Sequence, residues 1–156
     1  DHLRGGGGAW GGGVGLLRPR PLLSAARTAD FLLAVRRRRS TVPVACEPRH
    51  ASWFAPAVDA VWRRHGVARV AADPARLPDA AVPGGADASA RWRYWRWHGS
   101  PRIYYSRYAD EALDALAASL RTHAIARAPS WCIFDNTAHG HAVADAARLQ
   151  DRIAAR

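Results

Sequence analysis

The stretch from Arg91 to Tyr108, RWRYWRWHGSPRIYYSRY, admits few structures. Aromatic residues at this density favour a pleated, half-buried strand. Side chains along a strand alternate between its faces, so Tyr94, Arg96 and His98 share one face while Trp95 and Trp97 share the other. A strand with bulky indoles on one face and an Arg-x-His pair closing the other is unlike ordinary core. Gly99-Ser100-Pro101 ends it, and a loop follows with Arg102, Tyr104, Tyr105 and Tyr108. The arrangement fits the lip of a binding site. A buried strand whose polar groups satisfy one another is the structural alternative.

The flanking sequence repeats a strand, loop, helix rhythm. Phe31, Leu32 and Val35 recur at helical spacing within 28–38, with Asp30 in the first turn. The apolar run 43–48 reads as a short buried strand on which Ala45, Glu47 and Arg49 share a face. Pro56 suits the first turn of the next helix, Val58, Val61 and Trp62 form its apolar stripe, and Gly66 sits where a C-terminal cap belongs. A second strand covers 67–72, followed by Asp73-Pro74 and an irregular connection over 74–89. Asp110 is placed to cap a helix lined by Leu113, Leu116 and Leu120. A fourth strand, 131–134, and a last helix with Val143, Ala147, Leu149 and Ile153 complete the pattern. Strands alternating with helices imply a parallel sheet. The expected fold is therefore α/β, with about four parallel strands in sequential order and helices on the outer face.

Composition narrows the partners. The 156 residues suit one domain or part of a larger one. All 23 basic residues are arginine, and the net charge is +10. Positive charge attracts anions, but a lysine-free, alanine-rich chain points to GC-rich coding, which discounts that argument. The run Arg36 to Arg39 suits the C-terminal end of a helix. Cys46 and Cys132 lack metal or redox spacing and read as buried thiols. No apolar run approaches the roughly 18 residues of a membrane span, so a reducing, cytoplasmic setting is expected. Residues 1–21, with GGGG, GGG and Arg-Pro-Arg-Pro, are expected to be loosely ordered. The lack of methionine suggests a fragment or a processed product.

Each predicted strand ends in chemistry: Glu47 and Arg49, then Asp73, then Arg96 and His98, then Asp135 and Asn136. Sites of (β/α)8 barrels lie at that face, as do those of open doubly wound sheets. No G-x-G-x-x-G follows a strand, which argues against a dinucleotide fold. Glu47 with Arg49 forms either a clamp for a ligand anion or a structural ion pair. His98 near Asp73 and Asp135 forms either a general base with an orienting carboxylate or a structural histidine. No spacing supports a metal, and none is expected; His139 and His141 read as surface residues.

Three of these motifs occur together in one known family. Glu47-Pro48-Arg49-His50-Ala51-Ser52-Trp53, Trp97-His98-Gly99-Ser100-Pro101-Arg102 with Tyr104-Tyr105, and Phe134-Asp135-Asn136-Thr137 resemble the YecE-like family, domain of unknown function 72, in order and spacing. The likeness runs from about Thr28 to the C-terminus. It implies a TIM-barrel-like fold of about 250 residues, of which 22–156 would be the C-terminal half, strands five to eight. It also maps Glu47, Arg49, Asp73, Arg96, His98, Tyr105, Asp135 and Asn136 to a presumed pocket. The family's activity is not settled.

Loops after strands seven and eight of barrels often bind phosphate. Here those loops carry Arg102, Tyr105 and Asn136. The functional expectation is an anionic or phosphorylated ligand at the strand ends, with Glu47, Asp73, His98 and Asp135 as catalytic candidates. Arg49, Arg96, Arg102, Tyr105 and Asn136 are the binding candidates, and the cofactor is unknown. The alternatives are a nucleic-acid-binding or phosphodiester-cleaving barrel, with bases stacked on its aromatic rings, and an inactive truncated fragment. Half a barrel leaves two open sheet edges and an uncovered inner face, for which Ala45, Arg69, Ala71 and Tyr94 are candidates. Self-association through those edges follows.

Overall fold

The computed structural model describes residues 15–17, 25–38, 42–81, 84–85, 92–125 and 129–155. In chain order the elements are β1 (Gly15–Leu17), α1 (Ala25–Arg38), β2 (Val44–Cys46), α2 (Pro56–His65), β3 (Val67–Arg69), β4 (Ala71–Asp73), β5 (Gly84–Gly85), β6 (Arg93–Trp97), α3 (Asp110–Ile125), β7 (Ser130–Phe134) and α4 (His141–Ala154). They form two sheets with strand orders β1-β2-β3-β5 and β4-β6-β7. Every pairing is parallel except the two-residue β3–β5 contact.

The run 67–73 links the two sheets. Its first half, β3, pairs with β2, and its second half, β4, pairs with β6. Val70 between them donates its N–H to the Cys46 carbonyl at 2.8 Å, and the alternation of side chains continues unbroken through it. Val67 and Ala71 pack on the helix side, whereas Ala68 and Val70 join Ala45, Trp92 and Tyr94 on the other. The four expected strands thus lie side by side in sequential order, and β6 pairs in parallel with both neighbours. Among the described residues the sheets do not close into a barrel.

Two apolar clusters seat the helices. Leu32 of α1 and Val58 and Trp62 of α2 meet Val44, Cys46 and Val67 of the sheet. Trp53, from a 3-10 turn over Ala51–Phe54, stacks on Trp62 at 5.4 Å. Leu113, Leu116, Ala117 and Leu120 of α3 and Leu149 of α4 pack on Ala71 and Trp95. The opposite face is less covered: Trp131 and Ile133 of β7 remain 40% and 36% exposed.

Several expectations change. Gly15–Leu17 lies in the segment judged too glycine-rich for order, yet it pairs with Val44–Cys46. The β2 edge supplies hydrogen bonds that local propensity could not. The remainder of 1–21 lies outside the described residues. The connection 74–89 contains a 3-10 turn at Pro78–Ala81 and the antiparallel β5. Arg69 and Ala71 face the helices rather than the open side. Arg69 donates to Asp59 of α2 at 3.3 Å, and Ala71 is in the α3 cluster. Val143 is 81% exposed, so α4 buries Asp145 and Leu149 instead. Asp110 begins α3, and its carboxylate pairs with Arg148 and Arg152.

Gly66 caps α2 in the left-handed region, φ 59°, with its N–H turned back to the Arg63 carbonyl. An added Cβ is disfavoured there by about 1–2 kcal/mol. Gly66→Ala is expected to lower unfolding free energy by that amount in urea titrations.

Candidate functional site

Residues one step beyond three parallel strands converge on the open face of the sheet. Glu47 follows β2, His98 follows β6 and Asp135 follows β7, while Arg96 points to the same side from within β6. Arg96 donates through Nη1 to Glu47 Oε2 at 2.7 Å and through Nη2 to Asp135 Oδ2 at 2.5 Å. His98 Nδ1 lies 2.8 and 3.0 Å from the two Asp135 oxygens. An ionised carboxylate only accepts, so the proton of this contact sits on Nδ1. The other ring nitrogen, Nε2, is 3.7 Å from Glu47 Oε1, and Arg49 Nη2 donates to that same oxygen at 3.1 Å. Five side chains from three strand ends therefore form one charged array.

Burial opposes ionisation of Glu47, but His98 and Arg96 outweigh it and hold its carboxyl at about 2. Burial likewise opposes the charge on Arg96, whose pKa is nevertheless raised by Glu47 and Asp135. Each charge is buried in company. Burial pushes the Cys46 thiol up and the Cys132 thiol to about 12, so neither is a ready nucleophile.

A cavity of about 200 Å³ opens on this array, lined by Glu47, Arg49, His98, Arg76, Ile103 and Tyr104 among others. Each motif residue thus has a separable task. In the first motif, Glu47 and Arg49 face the cavity, His50 Nδ1 accepts from the Ser52 N–H at 3.2 Å, and Trp53 enters the core. In the second, Trp97 packs on Tyr108 with ring centres 4.4 Å apart, His98 faces the site and Gly99 makes the turn. Gly99 has φ 98°, and a Cβ there would lie 3.0 Å from the Ser106 carbonyl and from Asn136 Cβ. Only glycine fits.

Four candidates, Asp73, Asn136, Arg102 and Tyr105, are placed differently from the sequence reading. Asp73 pairs in register with Trp97 and so turns toward the helix-bearing face; its carbonyl accepts from the His98 N–H at 2.7 Å. Asn136 is 0% exposed and spends its amide on the Ser106 carbonyl and Asp145 Oδ2, at 2.9 and 2.8 Å. Arg102 stacks on Tyr105, 4.0 Å from the ring centre, and Tyr105 meets His139 edge-on. That surface stack lies outside the cavity lining.

Asp145 was not anticipated. Its carboxylate is fully buried and accepts from the Tyr108 N–H at 3.1 Å, from Asn136, and from Arg148 Nη1 at 2.7 Å. The Tyr108 hydroxyl accepts from the Gly99 N–H at 2.8 Å and donates to the Asp73 carbonyl at 3.1 Å. Burial raises its pKa, keeping it a donor. These bonds fasten loop 99–108 to β4, β7 and α4, and that loop forms one wall of the cavity. The sequence signal was Asp145 on an otherwise apolar helix stripe with Leu149.

The fold and site together define an α/β protein with a charged pocket at the C-terminal ends of parallel strands. The chain belongs to the DUF72 family: the family model "Protein of unknown function DUF72" matches residues 16–156. Among solved structures it is similar to a DUF72 family protein from Thermotoga maritima, at 22% identity and TM-score 0.70, over 89% of this chain and 56% of that one. It is also similar to a DUF72 family protein from Enterococcus faecalis, at 18% identity and TM-score 0.69, over 92% of this chain and 61% of that one. At these identities the likeness is one of fold. The chain spans somewhat more than half the length of these proteins. None of the curated proteins matches it.

Two outcomes follow from the geometry. Glu47 is held below its usual 4.5, so its stabilisation is complete above about pH 4.5 and is lost as pH falls toward 2. Urea titrations between pH 2 and 6 are expected to show this slope in the parent and a flatter one in Glu47→Gln. Asp145→Ala leaves the buried Tyr108 N–H and one Asn136 amide hydrogen without their acceptor, and at about 1–3 kcal/mol each is expected to cost about 2–4 kcal/mol. A loss below about 1 kcal/mol, the scale of an exposed ion pair, would contradict the role given to Asp145.

Proposed function

We propose that this DUF72 chain binds a small anionic ligand in the cavity over Glu47, Arg49 and His98, with His98 as the group that moves a proton. The observation that carries the reading is the His98 geometry. Asp135 orients the ring through Nδ1, and both His98 and the Glu47 beside Nε2 line the cavity. A side chain that gives or takes a proton must be held in place by a partner and reach its ligand; the Asp135 contact supplies the first, and the place of His98 in the cavity lining supports the second. Arg49 and Arg76 stand at the same opening as cations for an anion. Asp135 then acts as the orienting carboxylate, and Arg96 sets Glu47 and Asp135 in position.

The sheet is read as part of a (β/α) barrel. Sequential parallel strands with helices packed on one face support this, as does a site at the strand C-termini. The open face bearing Trp131 and Ile133 would be covered by further strands in a closed barrel.

The test is titration calorimetry with inorganic phosphate. Arg49→Ala is expected to weaken binding about 10- to 100-fold, as for loss of one charge-assisted contact. The affinity is expected to fall only shallowly with salt, as for one small anion. A steep salt dependence with single-stranded oligonucleotides, and no phosphate binding, would replace this reading with a nucleic-acid one.

A further inference from the structure

Tyr104 is the described non-glycine residue with φ in the left-handed region, at 71°. A bulky side chain is disfavoured there, and such strain persists only where the surroundings impose it. Here they do. The Tyr104 N–H donates to the His98 carbonyl at 2.6 Å, and its carbonyl accepts from the Ala138 N–H at 3.1 Å. The ring so placed lines the cavity, meets His98 edge-on at 6.0 Å and remains 45% exposed. A residue whose backbone is fixed at both ends in a costly conformation thus holds an aromatic ring in the cavity that Glu47 also lines.

The rest of the lining limits what that face can meet. Glu47 is anionic and only accepts, so it repels a bare anion and favours a ligand with hydroxyl donors. Arg76, with no ion pair to another described residue, lines the same cavity as Arg49. One ligand must therefore carry hydroxyls for the carboxylate and an anionic group for the guanidinium pair. The cavity of about 200 Å³ is below the roughly 300–1,000 Å³ of drug-sized ligand sites, which suits a ligand built on a single ring.

Resting on the anion-binding reading above, we propose that the ligand is a monosaccharide phosphate. Tyr104 is the residue that selects it, stacking on the sugar ring while Glu47 accepts from its hydroxyls and Arg49 and Arg76 hold the phosphate.

Calorimetry on the 156-residue chain with glucose 6-phosphate and with inorganic phosphate tests this. The sugar phosphate is expected to bind at least about 10-fold tighter than phosphate. Tyr104→Phe keeps the ring and is expected to keep that ratio. Tyr104→Gly removes the ring and also suits the backbone, since glycine adopts positive φ freely, so its melting temperature is expected to match or exceed that of Tyr104→Ala. In Tyr104→Gly the ratio is expected to collapse to within about threefold. An undiminished ratio in Tyr104→Gly, or no preference for the sugar phosphate in the parent chain, overturns the role of Tyr104 while phosphate binding persists. Loss of binding to both ligands in the parent overturns the anion reading beneath it.

Discussion

Arg96 is the interaction on which the site depends. Its guanidinium spans from Glu47 after β2 to Asp135 after β7, with 2.7 and 2.5 Å contacts, from a position inside β6. A buried and a half-buried carboxylate on one sheet face would repel each other. A planar cation between them turns that repulsion into a three-strand tie, and arginine suits the task because its fork of donors is rigid and always charged. Desolvation makes a buried pair a doubtful source of net stability. What Arg96 supplies is geometry: it leaves Glu47 Oε1 for Arg49 and His98, and sets Asp135 where it can hold the histidine.

The order of elements was legible because each carries its own local signal. Val58 and Trp62 mark the buried stripe of α2, Gly66 marks its end, and alternation in 93–98 separates the indole face from the Arg96 and His98 face. The membership of Glu47, Arg49, His98 and Asp135 in one cluster was legible for a related reason. Parallel strands put their C-terminal ends on one edge, so residues closing successive strands become neighbours.

What was not legible depended on half-turns of the backbone and on tertiary partners. Asp73 and Asn136 also close strands, but Asp73 falls on the helix-facing parity with Trp97, and Asn136 is drawn under the loop by Asp145. Asp145 shares a helix stripe with Leu149, but that stripe does not tell that Tyr108, Asn136 and Arg148 converge on it. Gly15–Leu17 shows the same limit from the other side: a neighbouring strand edge overrode a composition that argued against order.

The separation in sequence of the Arg96 partners sets the loops that close to make the site. Glu47 lies 49 residues before Arg96, and Asp135 lies 39 residues after it. Contacts across such loops carry a closure entropy that local helix contacts do not. The α1 and α2 layer with its stacked Trp53 and Trp62 draws on residues 32–67, a span that contains neither β6 nor β7. Far-ultraviolet helix content and indole burial in that layer therefore report a different set of contacts from those that build the pocket.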